Sequence, residues 1–122
     1  MKYSLSPAEE EILTVLWENK KWTTCSELVS HFHKQGKDWK RQTVNTFLSR
    51  LLGKGFVVKN GRSYIYNFTK EEFDSLKAKE LVETFYSGSV KNFMSALTGK
   101  NTLDPKYVNE LKEYLDDIIE SE

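Results

Sequence analysis

Polar side chains that can both donate and accept hydrogen bonds are concentrated between residues 42 and 50 of this 122-residue sequence. Asn and Gln can pair bidentately with adenine, Arg with guanine, and Thr with a base edge or the thymine methyl group. Basic residues flank the stretch and could neutralise phosphates, which sets the register of a protein on a duplex. This chemistry favours contact with double-stranded DNA, and the candidates for it are Lys40, Arg41, Gln42, Thr43, Asn45, Thr46, Arg50, Lys54, Lys59 and Arg62.

The formal net charge of zero conceals an uneven distribution of charge along the chain. Residues 1–69 hold 11 Lys/Arg against 6 Asp/Glu, a net of +5, whereas residues 70–122 hold 7 against 12, a net of −5. Between Lys34 and Arg62 there are 8 basic residues and the single acid Asp38. This asymmetry favours a polyanionic partner for the first part of the chain, although two solvated faces of opposite sign would also produce it.

A helix is predicted for the stretch that carries the polar candidates. Gly53 and Gly55 are expected to end this helix, and Asp38 to cap its start. Its polar side chains would lie opposite an apolar face that packs on a core. The residues of that apolar face recur at steps of 3, 1, 3 and 1, and they are Val44, Phe47, Leu48, Leu51 and Leu52.

Two helices are predicted before this stretch and a β-hairpin after it. Capping boxes start both of these helices, at Ser6 and at Thr24. Asn60-Gly61 separates two β-rich runs, 56–59 and 62–68, as expected for a type I′ turn with positive φ at both residues. Three helices followed by a hairpin is the winged helix-turn-helix plan, in which the third helix lies in the major groove and the hairpin touches the flanking backbone.

A second lobe is predicted after Phe68/Thr69, so that a winged helix DNA-binding domain spans 1–69 and a helical dimerisation domain spans 70–122. Its helices are short, and about 50 residues cannot bury so many apolar side chains without a partner. The fold class is therefore mainly α with a small β-hairpin, and the chain is expected to be a homodimer. The residues expected at the dimer interface are Phe85, Phe93, Met94, Leu97, Leu111, Leu115 and Ile118.

Several classes of protein are disfavoured by the sequence. The longest uncharged stretches are eight residues, which predicts no membrane insertion, and the start MKYSLSPAEEE has no apolar core for a signal peptide. The single cysteine, Cys25, predicts a protein of the reducing cytoplasm. His31 and His33 cannot share a helix face, so no metal site is expected, and no cofactor either. Neighbouring carboxylates without a nucleophile predict that the chain is not an enzyme. Cys25 is interpreted as a small semi-buried thiol rather than an oxidant sensor, and Trp17 and Trp22 as core residues.

The sequence resembles a known family in four stretches. They read SPAEEEILTVLW at residues 6–17, DWKRQTVNTFLSRLLGKGFV at 38–57, KNGRSYIY at 59–66 and ELVETFYSGSVKNFMSAL at 80–97. Together they are similar to the penicillinase and methicillin-resistance repressors of the BlaI/MecI type. Lys40-Arg41 stand where that family often has Ser-Pro, and the Cys-x-Cys pair of its copper-responsive branch is missing.

The resemblance implies a homodimeric transcriptional repressor that binds a dyad operator upstream of antibiotic (β-lactam) resistance genes or of a related stress response. It also implies derepression by a membrane sensor protease that cuts within the second lobe, and gapless matching from Gly88 places the bond at Ala96-Leu97. Two alternatives stay open. A winged-helix module could engage an acidic protein through its basic face, and a monomer could serve an architectural or RNA-binding role.

Overall fold

The computed structural model describes residues 1–99 and 104–120, and its element order matches the winged-helix prediction. Three helices, a hairpin and three further helices follow one another as expected, which confirms a mainly α fold with a winged helix domain and a helical lobe. The elements are α1 (Pro7–Asn19), β1 (Thr23–Thr24), α2 (Cys25–Lys34), α3 (Arg41–Gly53), β2 (Val57–Asn60), β3 (Ser63–Tyr66), α4 (Lys70–Tyr86), α5 (Val90–Thr98) and α6 (Pro105–Glu120).

Capping boxes start α1 and α2 as predicted. The Ser6 hydroxyl accepts from the Glu9 N–H at 3.2 Å, while Glu9 accepts from the Ser6 N–H at 2.8 Å. Thr24 and Glu27 make the same reciprocal pair at the start of α2. These bonds satisfy backbone donors that a helix leaves unpaired in its first turn, so both starts are fixed by local sequence.

The start of α3 differs from the prediction. Lys40 is the N-cap residue, and its side chain makes no capping hydrogen bond. The expected cap at Asp38 is wrong, because the N-cap residue directly precedes the first helical residue and Asp38 lies two residues before Lys40. The start of α3 therefore carries two basic side chains, Lys40 at the N-cap and Arg41 in the first turn, and no acidic cap.

A two-residue strand that the sequence did not reveal completes a three-stranded antiparallel sheet in the order β1-β3-β2. Thr23 pairs with Tyr64 and Thr24 with Ser63, so β1 joins the hairpin to the start of α2. The sheet thereby fixes the hairpin beside α2 and α3.

The core of the first part lies between α1, α2, α3 and the sheet. Val44, Leu48 and Leu51 of the predicted α3 stripe are fully buried, Phe47 is half-buried, and Leu52 is 39% exposed. Phe73 of α4 joins this core at 3% exposure, with its ring centre 5.1 Å from that of Phe56. The remaining core residues are Ile12, Leu13, Val15, Leu16, Cys25, Leu28, Phe32, Phe56, Val57 and Tyr64.

The two tryptophans that were predicted to be core residues have different environments. Trp17 lies at the edge of the core, and its indole N–H donates to the Phe68 carbonyl at 2.9 Å. Trp22 is 44% exposed, so the prediction is wrong for it. Trp22 lies between α1 and β1, outside any helix, and helical periodicity therefore could not place it.

The chain divides into two compact units, Met1–Leu81 and Val82–Glu122. In the second unit, Gly88 has a φ of +75°, and its N–H donates to the Val82 carbonyl at 3.1 Å, which ends α4. No residue of α5 or α6 is buried in the described part of this unit. The functional boundary at residues 69/70 stays a prediction. None of the helices described is long and apolar enough to cross a membrane.

Candidate nucleic-acid interface

The solvent face of α3 carries a shallow, open depression of about 650 Å³, which we call the reading groove. Its polar lining follows from the amphipathic sequence, since the apolar stripe of α3 turns toward the core and leaves the opposite face to solvent. The residues that line it are Arg41, Gln42, Asn45, Thr46, Ser49 and Arg50. Five of these six were predicted DNA contacts, and the fold therefore brings them together along one helix.

A second groove of about 450 Å³ lies between α2, α3 and the hairpin, and we call it the wing groove. Arg41 and Asn45 line both grooves, so the two form a continuous surface. Lys59 and Arg62 reach the wing groove from the hairpin. The full lining is Thr24, Cys25, Ser26, Arg41, Asn45, Lys59, Arg62 and Tyr64.

The hairpin turn places Arg62 at the tip of the wing. Asn60 pairs with Ser63, so the two-residue loop is Gly61-Arg62 rather than Asn60-Gly61. Gly61 has a φ of +62°, and Gly61 alone in this turn has a positive φ. This corresponds to a type II′ turn, which takes Gly at its first central position, and the type I′ turn was wrong. The hairpin itself is confirmed.

Three of the predicted DNA contacts lie outside both grooves. Lys40 is exposed at the start of α3, and Thr43 is half-buried on the side of that helix. Lys54 lies just beyond the other end of α3, where its ammonium is 2.9 Å and 3.0 Å from the two carboxylate oxygens of Glu9 and 3.2 Å from the Ser4 carbonyl. The charge of Lys54 is therefore used within the fold.

The partner of Lys54 is a carboxylate with a side chain only 3% exposed. Burial raises the pKa of Glu9, but hydrogen bonds from the Ser6 backbone N–H and from Lys54 lower it by more, so the net pKa lies below the ordinary 4.5. Oε2 of Glu9 has no hydrogen-bond partner of good geometry, and the nearby ammonium satisfies it by charge alone. The ion pair ties the end of α3 to the N-terminal cap of α1.

Residues of α2 and the sheet also contribute to this surface, and none of them is among the DNA contacts predicted from the sequence. Thr24, the N-cap residue of α2, and Ser26, in the first turn of that helix, line the wing groove beside Arg62, and Tyr64 lines it from β3. The motif Thr24-Cys25-Ser26-Glu27 was interpreted only as a helix start. Hydroxyls at a helix N-terminus next to basic residues are suited to phosphate oxygens, and this was the signal available in the sequence.

Cys25 lies beneath the wing groove and is a poor nucleophile. Its side chain is 6% exposed, and the thiol donates to the Arg41 carbonyl at 3.7 Å. Burial raises the pKa of Cys25, and the charge of Arg41 offsets this only in part. Because the thiolate is the reactive form, the thiol acts as a small packing group between α2 and α3. Among the residues described, no group of three or more His, Cys, Asp or Glu could hold a metal ion.

The chain is similar to known repressors along most of its length. It is 27% identical over 117 residues to the methicillin resistance regulatory protein MecI of Staphylococcus aureus strain N315, covering 93% of this chain and 94% of that protein. It is 26% identical over 117 residues to the penicillinase repressor of Bacillus licheniformis, covering 93% and 90% respectively. Residues 5–117 match the sequence pattern that is shared by the penicillinase repressor family. The match includes the winged helix and nearly all of the helical lobe, and the chain therefore belongs to the penicillinase repressor family.

Proposed function

We propose that this protein is a cytoplasmic transcriptional repressor that binds a dyad DNA operator as a homodimer and controls β-lactam resistance genes or a related stress response. The observation that carries the proposal is the continuity of the reading groove with the wing groove through Arg41 and Asn45. A helix and a hairpin that share one basic surface are what a winged helix uses to read a major groove and grip the adjacent backbone. Membership of a repressor family supports the same function.

Base contacts are assigned to the reading groove. Gln42, Asn45 and Thr46 are exposed there and carry the donors and acceptors that distinguish base pairs in the major groove. Phosphate contacts are assigned to Lys59 and Arg62 in the wing groove, together with Lys40 at the start of α3. Lys54 has no part in this assignment, because its ammonium already pairs with Glu9.

Dimerisation is assigned to the second unit. Leu97, Leu111 and Leu115 are exposed by 60%, 36% and 48%, which is unusual for leucines at helical spacing in a folded protein. Phe85 is 63% exposed, while Phe93 and Met94 are half-buried. Burying these side chains against a second copy would place two α3 helices on half-sites one DNA turn, or a multiple of it, apart.

Derepression is assigned to proteolysis between Ala96 and Leu97 by a membrane sensor protease. Both residues are exposed in the last turn of α5, which ends at Thr98. A terminal helical turn opens at low cost, so a protease could bind this bond in extended form. Cutting here would separate α6, and Leu97 with it, from the winged helix.

Selection from a randomised DNA library tests the core of the proposal. A two-fold symmetric motif is expected for the wild type. Arg62→Ala should weaken binding to all sequences alike and reduce the slope of log K against log salt by about 0.9 for each phosphate that the protein no longer neutralises. Lys77→Ala removes an exposed charge from α4 and should leave the slope unchanged. An asymmetric motif would contradict the dimer. Failure to bind DNA at low salt would instead favour a module that binds an acidic protein.

A further inference from the structure

Arg50 differs from the other side chains of the reading groove because it lies against an aromatic ring. Its guanidinium carbon is 5.9 Å from the centre of the Phe47 ring, one helical turn earlier. Arg50 is exposed, and in the described part of the chain it has no ion pair with a carboxylate. Its charge is therefore available to a ligand, while the ring restricts where the guanidinium can lie.

The Phe47 ring packs at the end of a row of tilted aromatic side chains. Its centre lies 5.5 Å from that of Trp39, in the segment before α3, and the Trp39 ring centre lies 4.8 Å from that of Phe32 of α2. Phe32 is only 2% exposed, so the row begins in the core. It leads from there through Trp39 and Phe47 to the guanidinium at the surface.

Trp39 also contacts a lysine outside this row of aromatic rings. The Lys37 ammonium lies 4.9 Å from the Trp39 ring centre and 3.0 Å from the Glu11 carboxylate on α1. Trp39 thus contacts a core phenylalanine as well as this lysine. Both contacts favour one position of the Trp39 ring, against which Phe47 packs.

An arginine held in this way is suited to reading a base rather than to gripping a phosphate. Phosphate oxygens accept hydrogen bonds from many directions, so a mobile basic side chain is sufficient to bind them. Guanine O6 and N7 require two parallel N–H donors in one plane, and a guanidinium that is already positioned loses less entropy when it forms them. On the basis of the proposed DNA-binding function, we propose that Arg50 determines specificity at one base pair and that Phe47, braced by Trp39, is the positioning residue that holds it.

The test compares three variants with the wild type on one selected operator, on its single-base variants and on random duplex, all at one salt concentration. Arg50→Lys keeps the charge but loses the planar fork. Phe47→Leu keeps an apolar side chain but removes the ring, and Phe47→Tyr keeps the ring. Thermal unfolding of each variant shows whether the fold is retained.

Arg50→Lys should reduce discrimination at one base pair by at least about fivefold and leave binding to random duplex within about twofold. Phe47→Leu should reduce discrimination at the same base pair by roughly two- to fivefold, and Phe47→Tyr should preserve it. In the Arg50→Lys background, Phe47→Leu should have no further effect on discrimination, which a merely structural role of Phe47 would not predict.

Equal losses on every sequence would assign Arg50 to a phosphate and overturn the inference. Unchanged discrimination in Phe47→Leu would remove the positioning role of the ring. If Phe47→Leu does not fold, Phe47→Met carries the same expectation, and Arg50→Lys still decides the role of the exposed arginine. A wild type that selects no DNA sequence contradicts the proposed function itself, whereas a wild type that selects an operator left unchanged by Arg50→Lys contradicts only this inference.

Discussion

Leucines at helical spacing are mostly buried in the first compact unit and exposed in the second. Leu13, Leu28 and Leu48 of the first unit are fully buried, whereas Leu97 and Leu115 of the second are 60% and 48% exposed. The first unit has a sheet and four helical segments to enclose its apolar side chains. The described part of the second unit consists of the end of α4, α5 and α6. These elements are too few to bury the apolar side chains of that unit.

We infer from this difference that the first unit is stabilised by its own core and the second by contact with a second copy of the chain. The first has a complete core and should fold by itself, since every buried residue of that core precedes Leu81. The second presents apolar surface that a second copy could cover. The stability of the first unit should therefore be independent of protein concentration, and that of the second should depend on it.

Removing residues 97–122 should have the largest effect on function. The fragment 1–96 retains the whole winged helix core but loses α6, so we expect a folded monomer with an unchanged reading groove. Its affinity for an operator with two half-sites should fall by at least about 100-fold, because the half-sites are no longer bound by linked subunits. Affinity for a single half-site should match that of the full chain. An operator affinity equal to that of the full chain would show that the helical lobe is dispensable, and would point to an effector acting on the first unit.

A matched pair of leucine substitutions should separate the two kinds of burial. Leu48→Ala removes a fully buried side chain and should lower the free energy of unfolding by about 2–5 kcal/mol at every protein concentration. Leu115→Ala removes one that is 48% exposed and should weaken only the dimer. Urea unfolding and sedimentation over a range of concentrations distinguish these outcomes. A loss of stability in dilute Leu115→Ala as large as that in Leu48→Ala would mean that the second unit has a core of its own.

The first unit was easier to predict from sequence because its signals are local. The capping boxes at Ser6 and Thr24, and the stripe from Val44 to Leu51, each lie within a few residues of the structure that they specify. The hairpin was predicted for the same reason. Its turn type was not, because Asn-Gly allows two registers, and pairing between Asn60 and Ser63 selected the one with Gly61 first.

Long-range contacts account for what the sequence did not reveal. Lys54 was predicted to contact DNA on the basis of its charge and position, but its partner Glu9 is 45 residues away, and no local pattern joins the two. Phe73 was grouped with the second lobe, although packing against Phe56 places it in the first core. Trp39 likewise gained its place between Phe32 and Phe47 only through the packing of α2 on α3.

The ion pair between Lys54 and Glu9 should contribute more than an exposed pair in the same unit. Lys54→Met leaves the buried Glu9 carboxylate without its ammonium and should lower the free energy of unfolding by about 1–3 kcal/mol at pH 7. Lys37→Met breaks a pair whose side chains are 38% and 42% exposed, and should cost less than about 1 kcal/mol.

The effect of Lys54→Met should also depend on pH. Because the folded pKa of Glu9 lies below its ordinary 4.5, its contribution is present above that value and is lost as the pH falls through the folded pKa. The difference between wild type and Lys54→Met should therefore shrink below pH 4.5, since a protonated Glu9 no longer needs the ammonium. Urea unfolding between pH 3 and pH 7 measures it. A difference that does not change with pH would show that Lys54 acts through packing alone.

Thiol labelling probes the contrast between the units with the least disturbance to either. Cys25 is 6% exposed, and burial raises its pKa, so a disulfide reagent should reach it only when the first unit opens. Ser95 is exposed on α5, and Ser95→Cys in a Cys25→Ser background offers a thiol in the second unit that needs no such opening. At pH 8 the native thiol should react at least about 100-fold more slowly than the introduced one.

Operator DNA should slow the labelling of Cys25 further, since the wing groove lies above it, and should leave the labelling rate at position 95 unchanged. Comparable labelling rates at the two positions would mean that the first unit opens as readily as the second. That result would contradict the view that only the first unit has a complete core.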